Sequence, residues 1–162
     1  MDQSMWQVHR AVRLAMLLDT PLAYGSTFAR EIGFTDEQWR ERIGGSTSWL
    51  ALDSDLPVGS ATLYRFPEQG PDDGCLVAMW VAPHARGSGA ADALVTALLD
   101  HAASSGMRRV TLDVADGNHR AAAFYRRLGF TVTGRTGTLP QNPQVTEFEM
   151  ERLLDGHPAS SR

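Results

Sequence analysis

Apolar residues at Val8, Val12, Ala15 and Met16 recur near helical spacing, so Trp6 to Leu18 reads as a helix that Asp19-Thr20-Pro21 stops. Thr35-Asp36-Glu37-Gln38 has the form of an N-cap followed by acids in the first turn, and Trp39 and Ile43 continue the apolar face until Gly44-Gly45. There the period changes to two. Thr47 to Asp53 and Val58 to Phe66 read as strands joined by the turn Ser54-Asp55-Leu56-Pro57. A polar loop, Pro67 to Gly74, leads into the unbroken apolar run Cys75 to Ala82, which predicts a central strand buried on both faces and ended by Pro83.

The second half alternates. Ser88 to Ser105 is predicted helical, with Leu94, Val95, Leu98, Leu99 and Ala102 as one stripe and Gly106 as its C-terminal cap. Arg109 to Val114 reads as a strand. Asn118 to Leu128 reads as a helix carrying Ala121, Phe124, Tyr125 and Leu128 on one face, with Gly129 beyond its end. Phe130 to Arg135 and Val145 to Arg152 are the last strands, separated by a long loop holding Pro140 and Pro143. The order ααββ, βαβα, ββ predicts an α/β fold with a mixed sheet and helices on both sides. With no repeat and no clear linker, residues 1–154 are expected to form one domain, and the polar stretch 155–162 a disordered tail.

Composition narrows the function. The chain has 162 residues, 43% hydrophobic and 21% charged, the balance of an ordinary globular protein. No apolar run reaches the length of a membrane span, Met1 to His9 has no signal-peptide pattern, and Cys75 is the single cysteine, so a cytoplasmic location is expected. A net charge of −4 and the short pairs Arg108-Arg109 and Arg126-Arg127 give no nucleic-acid surface. All 15 basic residues are arginine, which excludes a lysine phosphate loop and lysine Schiff-base chemistry. The five histidines are scattered without the spacing of a helix-borne zinc site, so no metal is expected.

Two segments carry chemistry. In Trp80-Val81-Ala82-Pro83-His84-Ala85-Arg86-Gly87-Ser88-Gly89-Ala90-Ala91 a strand ends, a glycine-rich loop follows and a helix begins. Helix N-termini present unpaired N–H groups and partial positive charge, and glycines let a backbone approach an anion closely. Arg86 adds a positive charge able to pair with a phosphate. Without a ligand, the same pattern is an ordinary strand-to-helix turn. In the second segment Asn118 and Tyr125 lie seven residues apart, two turns along one helix face. On their own, Asn118 could be a plain N-cap and Tyr125 a core aromatic.

In this order and on these elements, the two segments resemble the GNAT superfamily of acetyltransferases. Arg86-x-x-Gly89-x-Ala91 is similar to that family's pyrophosphate loop, and Asn118 to Phe130 to its second cofactor-binding block. The run from Arg13-Leu14 through Pro21-Leu22-Ala23-Tyr24-Gly25-Ser26-Thr27 to Trp39 is similar to bacterial members of unassigned substrate. The resemblance implies that N–H groups from Gly87 through Ser88, Gly89 and Ala90 to Ala91 bind the pyrophosphate of acetyl-CoA. It further implies that the backbone of Trp80 and Val81 holds the pantetheine arm, that Asn118 contacts the arm or a phosphate with Ala121 also at the cofactor, and that Tyr125 lies near the cofactor sulfur. The implied reaction is N-acetylation of a small amine or peptide acceptor through a ternary complex. Two departures stand out. The family's first strand is short or missing here, since only Met1 to Met5 precede the first helix, and the run Leu76 to Val81 has no carboxylate to serve as base.

The chemistry needs a base for the amine and an acid for the thiolate. Tyr125 is the candidate acid. Glu31, Asp73, His84 and Glu147 are the candidate bases, with Glu31 favoured because the family's acceptor lies in its segment. Cys75 reads as a core residue. Other readings are a GNAT domain that binds acetyl-CoA as a sensor without turnover, and a dinucleotide-binding domain, although Asp92 stands where G-x-G-x-x-G needs a third glycine. With no first strand beside Thr47 to Asp53, a bare sheet edge is expected to be covered by a homodimer or by Met1 to Met5.

Overall fold

The chain is described from a computed structural model over residues 3–140 and 142–154; the predicted tail lies outside the described residues. Helix α1 (Trp6–Asp19) opens the chain after a 3-10 turn at Gln3–Met5, and a short α2 (Phe28–Glu31) and α3 (Asp36–Gly44) follow. Thr35 caps α3 as its sequence predicts: its side chain accepts from Gln38 N–H, and the Gln38 side chain accepts from Thr35 N–H. Such caps contribute about 1 kcal/mol.

Six strands form one sheet: β1 (Thr47–Asp53), β2 (Leu56–Tyr64), β3 (Asp73–Val81), β4 (Arg109–Ala115), β5 (Thr131–Leu139) and β6 (Asn142–Leu153), in the order β1-β2-β3-β4-β6-β5. Every neighbouring pair is antiparallel except β3 and β4. Helix α4 (Ala90–Ser104) crosses from β3 to β4 and packs on β1, β2 and β3; α5 (His119–Arg127) joins β4 to β5. The predicted stripe of α4 is the buried one, packed with Leu112, Ala122, Tyr125, Phe130 and Met150. A second cluster joins Val12, Met16 and Leu17 of α1 to Trp80 and Ala82.

Three expectations change. The long loop between the last two strands is mostly ladder: β5 runs on to Leu139 and β6 starts at Asn142, because register shifts after Val132 and Thr138 absorb the glycines and prolines that read as loop signals. β3 is buried on both faces only in part, since Val77, Ala78 and Met79 are half-buried and line cavities. Gln3–Met5, the described part of the segment expected to cover the first edge, packs on α3 and pairs with no strand, so β1 remains an edge.

Candidate active site

The site begins with a strand that stops pairing. β3 and β4 run together only from Asp73↔Arg109 to Cys75↔Thr111, and then separate. Both continue, β3 to Val81 and β4 to Ala115, so a V-shaped split opens toward their C-terminal ends. α4 and α5 start at that open end, one after each strand. Ala78 (φ 51°) forms a bulge: four residues of β3, Val77 to Trp80, oppose three of β2, Ser60 to Thr62. Ala78 and Met79 are thereby released from the ladder, and the Met79 carbonyl accepts the Tyr24 hydroxyl at 3.0 Å.

At the mouth, Gly87 (φ 80°) and Gly89 (φ 89°) adopt left-handed backbone, and nothing lies within 4 Å of where a Cβ would stand on either. Gly89 is the N-cap of α4 and brings no side chain to the first-turn N–H groups, of which Ala90 N–H reaches Ser88 Oγ at 3.4 Å. The carboxylate that would oppose an anion here, Asp92, is paired with Arg127 at 2.6 Å. An open backbone cradle with its one acid neutralised fits a pyrophosphate. The structure reassigns the Arg86 side chain, however. Its guanidinium is bound to Asp19 at the end of α1 and donates to the Val81 carbonyl at 3.1 Å, while Trp80 Nε1 donates to the same Asp19 at 2.9 Å. Arg86 thus ties the loop and β3 to α1, and its charge is already shared with a carboxylate.

Inside the split is a cavity of about 630 Å³. Asn118, Ala121 and Tyr125 line one wall, as their spacing predicts. The Asn118 oxygen caps α5 by accepting from Ala121 N–H at 3.1 Å, which leaves its amide N–H₂ for a ligand. Tyr125 is 8% exposed, and its hydroxyl has no protein partner among the described residues. Burial raises its pKa above the ordinary phenol value, so the proton stays on at neutral pH. The opposite wall is acidic: Asp113, Glu147 and Glu149, on paired β4 and β6. Burial and then Asp113 raise the Glu147 pKa; burial and then Glu149 raise that of Asp113, against Arg135.

The four candidate bases part company. Glu147 alone shares the cavity with Tyr125. Asp73 sits at the closed end of the split, held by Arg109 at 2.7 Å, which keeps its pKa low. His84 is exposed on the 3-10 turn Pro83–Ala85 and lines neither cavity. Glu31, the favoured one, is fully buried and clamped by Arg13 (Nε–Oε2 2.9 Å, Nη2–Oε1 2.8 Å), with Arg42 at 3.4 Å. Burial alone would raise its pKa; the hydrogen bonds from Arg13 and Ser26 and the charges of Arg13 and Arg42 outweigh it and hold the carboxylate ionised. A carboxylate with both oxygens in a buried ion pair is a structural group, not a proton acceptor. Cys75 is buried, its thiol pushed up to about 11, in keeping with a core residue.

A second cavity, about 760 Å³, lies beneath the helical layer and meets the first along Tyr24, Gly25, Phe66, Val77 and Ala78. His9, Arg13, Arg30 and Arg42 line it. Reading the chain linearly missed Tyr24, Asp113, Glu149 and this arginine cluster; the only available signal was the alternation of Asp113 with Leu112 and Val114 on its strand.

Comparison with known proteins bears on the fold and the family. A solved GCN5-related N-acetyltransferase from Kribbella flavida superposes with a TM-score of 0.73 over 95% of each chain at 27% identity. A Bacillus subtilis acetyltransferase solved in complex with CoA gives 0.61 over 73% of this chain and 83% of its own, at 15% identity. An uncharacterized N-acetyltransferase of Mycobacterium tuberculosis is 35% identical over 97 residues, 57% of this chain and 60% of that relative, so the match spans less than two thirds of its length. Residues 13–130 match the acetyltransferase (GNAT) family, from the helix that anchors Arg86 to the end of the segment that carries Tyr125. The chain belongs to the acetyltransferase (GNAT) family.

Proposed function

We propose that the protein is an N-acetyltransferase that moves the acetyl group of acetyl-CoA to a primary amine by direct attack in a ternary complex. The observation that carries this reading is the alignment of an open-glycine anion cradle, a strand edge freed from pairing, and a protonated tyrosine along one split in the sheet. The N–H groups of Gly87, Gly89 and Ala91 hold the pyrophosphate, joined by that of Ala90 as its long contact to Ser88 Oγ gives way, while Ser88 N–H stays on the Ala85 carbonyl. The arm follows the unpaired edge of β3 past Trp80 and toward Val81, whose carbonyl is taken by Arg86, with Asn118 and Ala121 across from it. The thioester supplies an activated acyl carbon.

The acceptor arrives as an ammonium and has no lone pair until a proton leaves. Glu147, with its raised pKa, takes that proton directly or through water. The amine nitrogen attacks the acyl carbon, a C–N bond forms, and the oxyanion meets backbone N–H groups released at the Ala78 bulge. The C–S bond breaks, the thiolate takes the proton of the Tyr125 hydroxyl, and the second proton leaving the new amide nitrogen passes through water to restore that hydroxyl, while Glu147 releases its proton to solvent. No acyl-enzyme is needed.

Acetyl-CoA should raise the melting temperature of the protein, because a ligand that binds only the folded state stabilises it. Gly89→Glu should abolish that rise by adding bulk and negative charge to the cradle. An undiminished rise in Gly89→Glu would refute the loop assignment. A normal rise without thiol release for any amine would instead mark a sensor domain.

A further inference from the structure

The two cavities adjoin, sharing Tyr24, Gly25, Phe66, Val77 and Ala78 in their linings, but differ in charge. In the second, the guanidinium groups of Arg13, Arg30 and Arg42 face the carboxylates of Glu31 and Glu41. Arg13 occupies both oxygens of Glu31, Arg42 reaches one of them at the longer distance of 3.4 Å, and Arg30 has no carboxylate in reach among the described residues. Glu41 forms no ion pair among the described residues. The local field is therefore positive. It shows in the neighbours: burial pulls the Arg42 pKa down, Glu31 pulls it back, and Arg13 and Arg30 lower it again. Burial, then Arg42 and Arg13, push His9 down to about 4, so its imidazole is neutral at pH 7. His9 is 8% exposed, lines the cavity, and its Nε2 has no hydrogen-bond partner among the described residues. Such an atom normally finds a partner, in the protein or in a ligand.

We infer that this cavity seats a carboxylate of the acceptor, held by Arg42 and Arg30 with His9 Nε2 open to a polar neighbour, so that the acceptor is an amino acid or another amine bearing a carboxylate. The inference rests on the acetyltransferase reading above and deepens it. Charge complementarity runs through both cavities: the acidic wall of Asp113, Glu147 and Glu149 suits the ammonium end, and the arginines suit the acid end. Tyr24 stands where the cavities join, its hydroxyl fixed on Met79 and its ring under the Arg13 guanidinium at 5.5 Å, so an acceptor that spans both must pass it.

Matched acceptors test this. Amino acids are compared with their α-amides, and in parallel with partners differing only at a side-chain carboxylate, which separates the two sources of the charge. The kcat/KM of the acid should exceed that of its amide by about 10-fold or more, the worth of a charged hydrogen bond. The preference should hold although the amide has the larger free-amine fraction. Arg30→Gln and Arg42→Gln should erase it; Arg30 is exposed and has no carboxylate partner, so its variant folds even if Arg42→Gln does not. Should no acceptor turn over, glutarate against glutaramide at equal ionic strength decides, read as a melting shift of the acetyl-CoA-saturated protein. Equal kcat/KM for acid and amide, a preference unchanged in both variants, or no glutarate-specific shift would overturn the inference. The acetyl-CoA shift and its loss in Gly89→Glu report separately on the cofactor site.

Discussion

The split between β3 and β4 and the helical layer beneath it use opposite materials. The split is made of backbone: glycines with open space beside them, a bulged strand, and a strand edge with no neighbour. The layer of α1, α2 and α3 is made of side chains: a fully buried carboxylate, two arginines bound to it, and a neutral histidine against a buried tryptophan. On the function proposed above, backbone would recognise what is common to every turn of the reaction, the phosphates and arm of one cosubstrate, and side chains would recognise what differs, the acceptor. The consequence is that the two regions should fail differently. Damage to the split should remove function and spare the fold, whereas damage to the layer should cost the fold first.

The largest effect expected on the layer comes from Arg13→Ala. It leaves Glu31 ionised and buried with the distant Arg42 as its nearest countercharge, and removing one partner of a buried pair costs about 3–5 kcal/mol. Urea unfolding would measure it. The surviving folded protein should still show the acetyl-CoA melting shift, the reverse of Gly89→Glu. A loss below about 1 kcal/mol, the range of surface pairs, would mean that the layer does not depend on this pair.

Next in size is a pH effect. An unfolded histidine takes a proton near 6.5, whereas native His9 resists it until about 4. Between those values the unfolded state binds more protons, so stability falls as pH drops from 6.5 toward 4, by about 3 kcal/mol in all. Glu31 adds to the loss at lower pH, because its depressed pKa contributes stability that disappears only as pH falls through the folded value. Replacing His9 with Phe should flatten the upper part of this slope. An unchanged slope would show that His9 is protonated freely in the native state.

The same division explains what was legible in the chain. The split was readable because its parts are local: Gly87, Gly89 and the helix after them are contiguous, and Asn118 and Tyr125 share one helix face. The layer was not. Arg13 and Glu31 are 18 residues apart, in a segment whose four-residue α2 shows no periodicity, and only tertiary packing unites them with Arg42. Glu31 therefore read as a candidate base when it is an anchor. Glu147 was ambiguous for a related reason: its partner wall, Asp113 and Glu149, is set by β4–β6 register, which no single strand discloses. The overextended loop before β6 arose because glycine and proline signal turns locally while bulges absorb them in a ladder.

Within the split, Tyr125→Phe should lower kcat by about 10²-fold, the usual worth of a general acid, with little change in acetyl-CoA binding. Glu147→Gln should lower kcat/KM similarly and remove the acid limb of its pH profile, which lies above the ordinary carboxylate range because the Glu147 pKa is raised. Activity of Tyr125→Phe within about two-fold of wild type would return the tyrosine to the core.

The smallest effect concerns the outer edge of β1, which belongs to neither region. β1 and β5 are the two ends of the sheet. β5 is protected as edges commonly are, by a charge at Arg135 and by register shifts. β1 has a shift only after Ala51, and its residues Trp49 to Leu52 are uncharged, with Leu52 at 58% exposure. Such an edge invites a second strand, and the expected state is a weak homodimer paired through β1. Sedimentation across protein concentration should show reversible association, and Leu52→Lys should shift it to monomer while changing monomer stability by no more than about 0.5 kcal/mol, since an exposed site bears little packing. Amide exchange at Trp49 to Leu52 distinguishes the alternatives. Protection that grows with protein concentration marks strand pairing between chains; a monomer at every concentration with these amides exchanging freely would show that the open edge is tolerated.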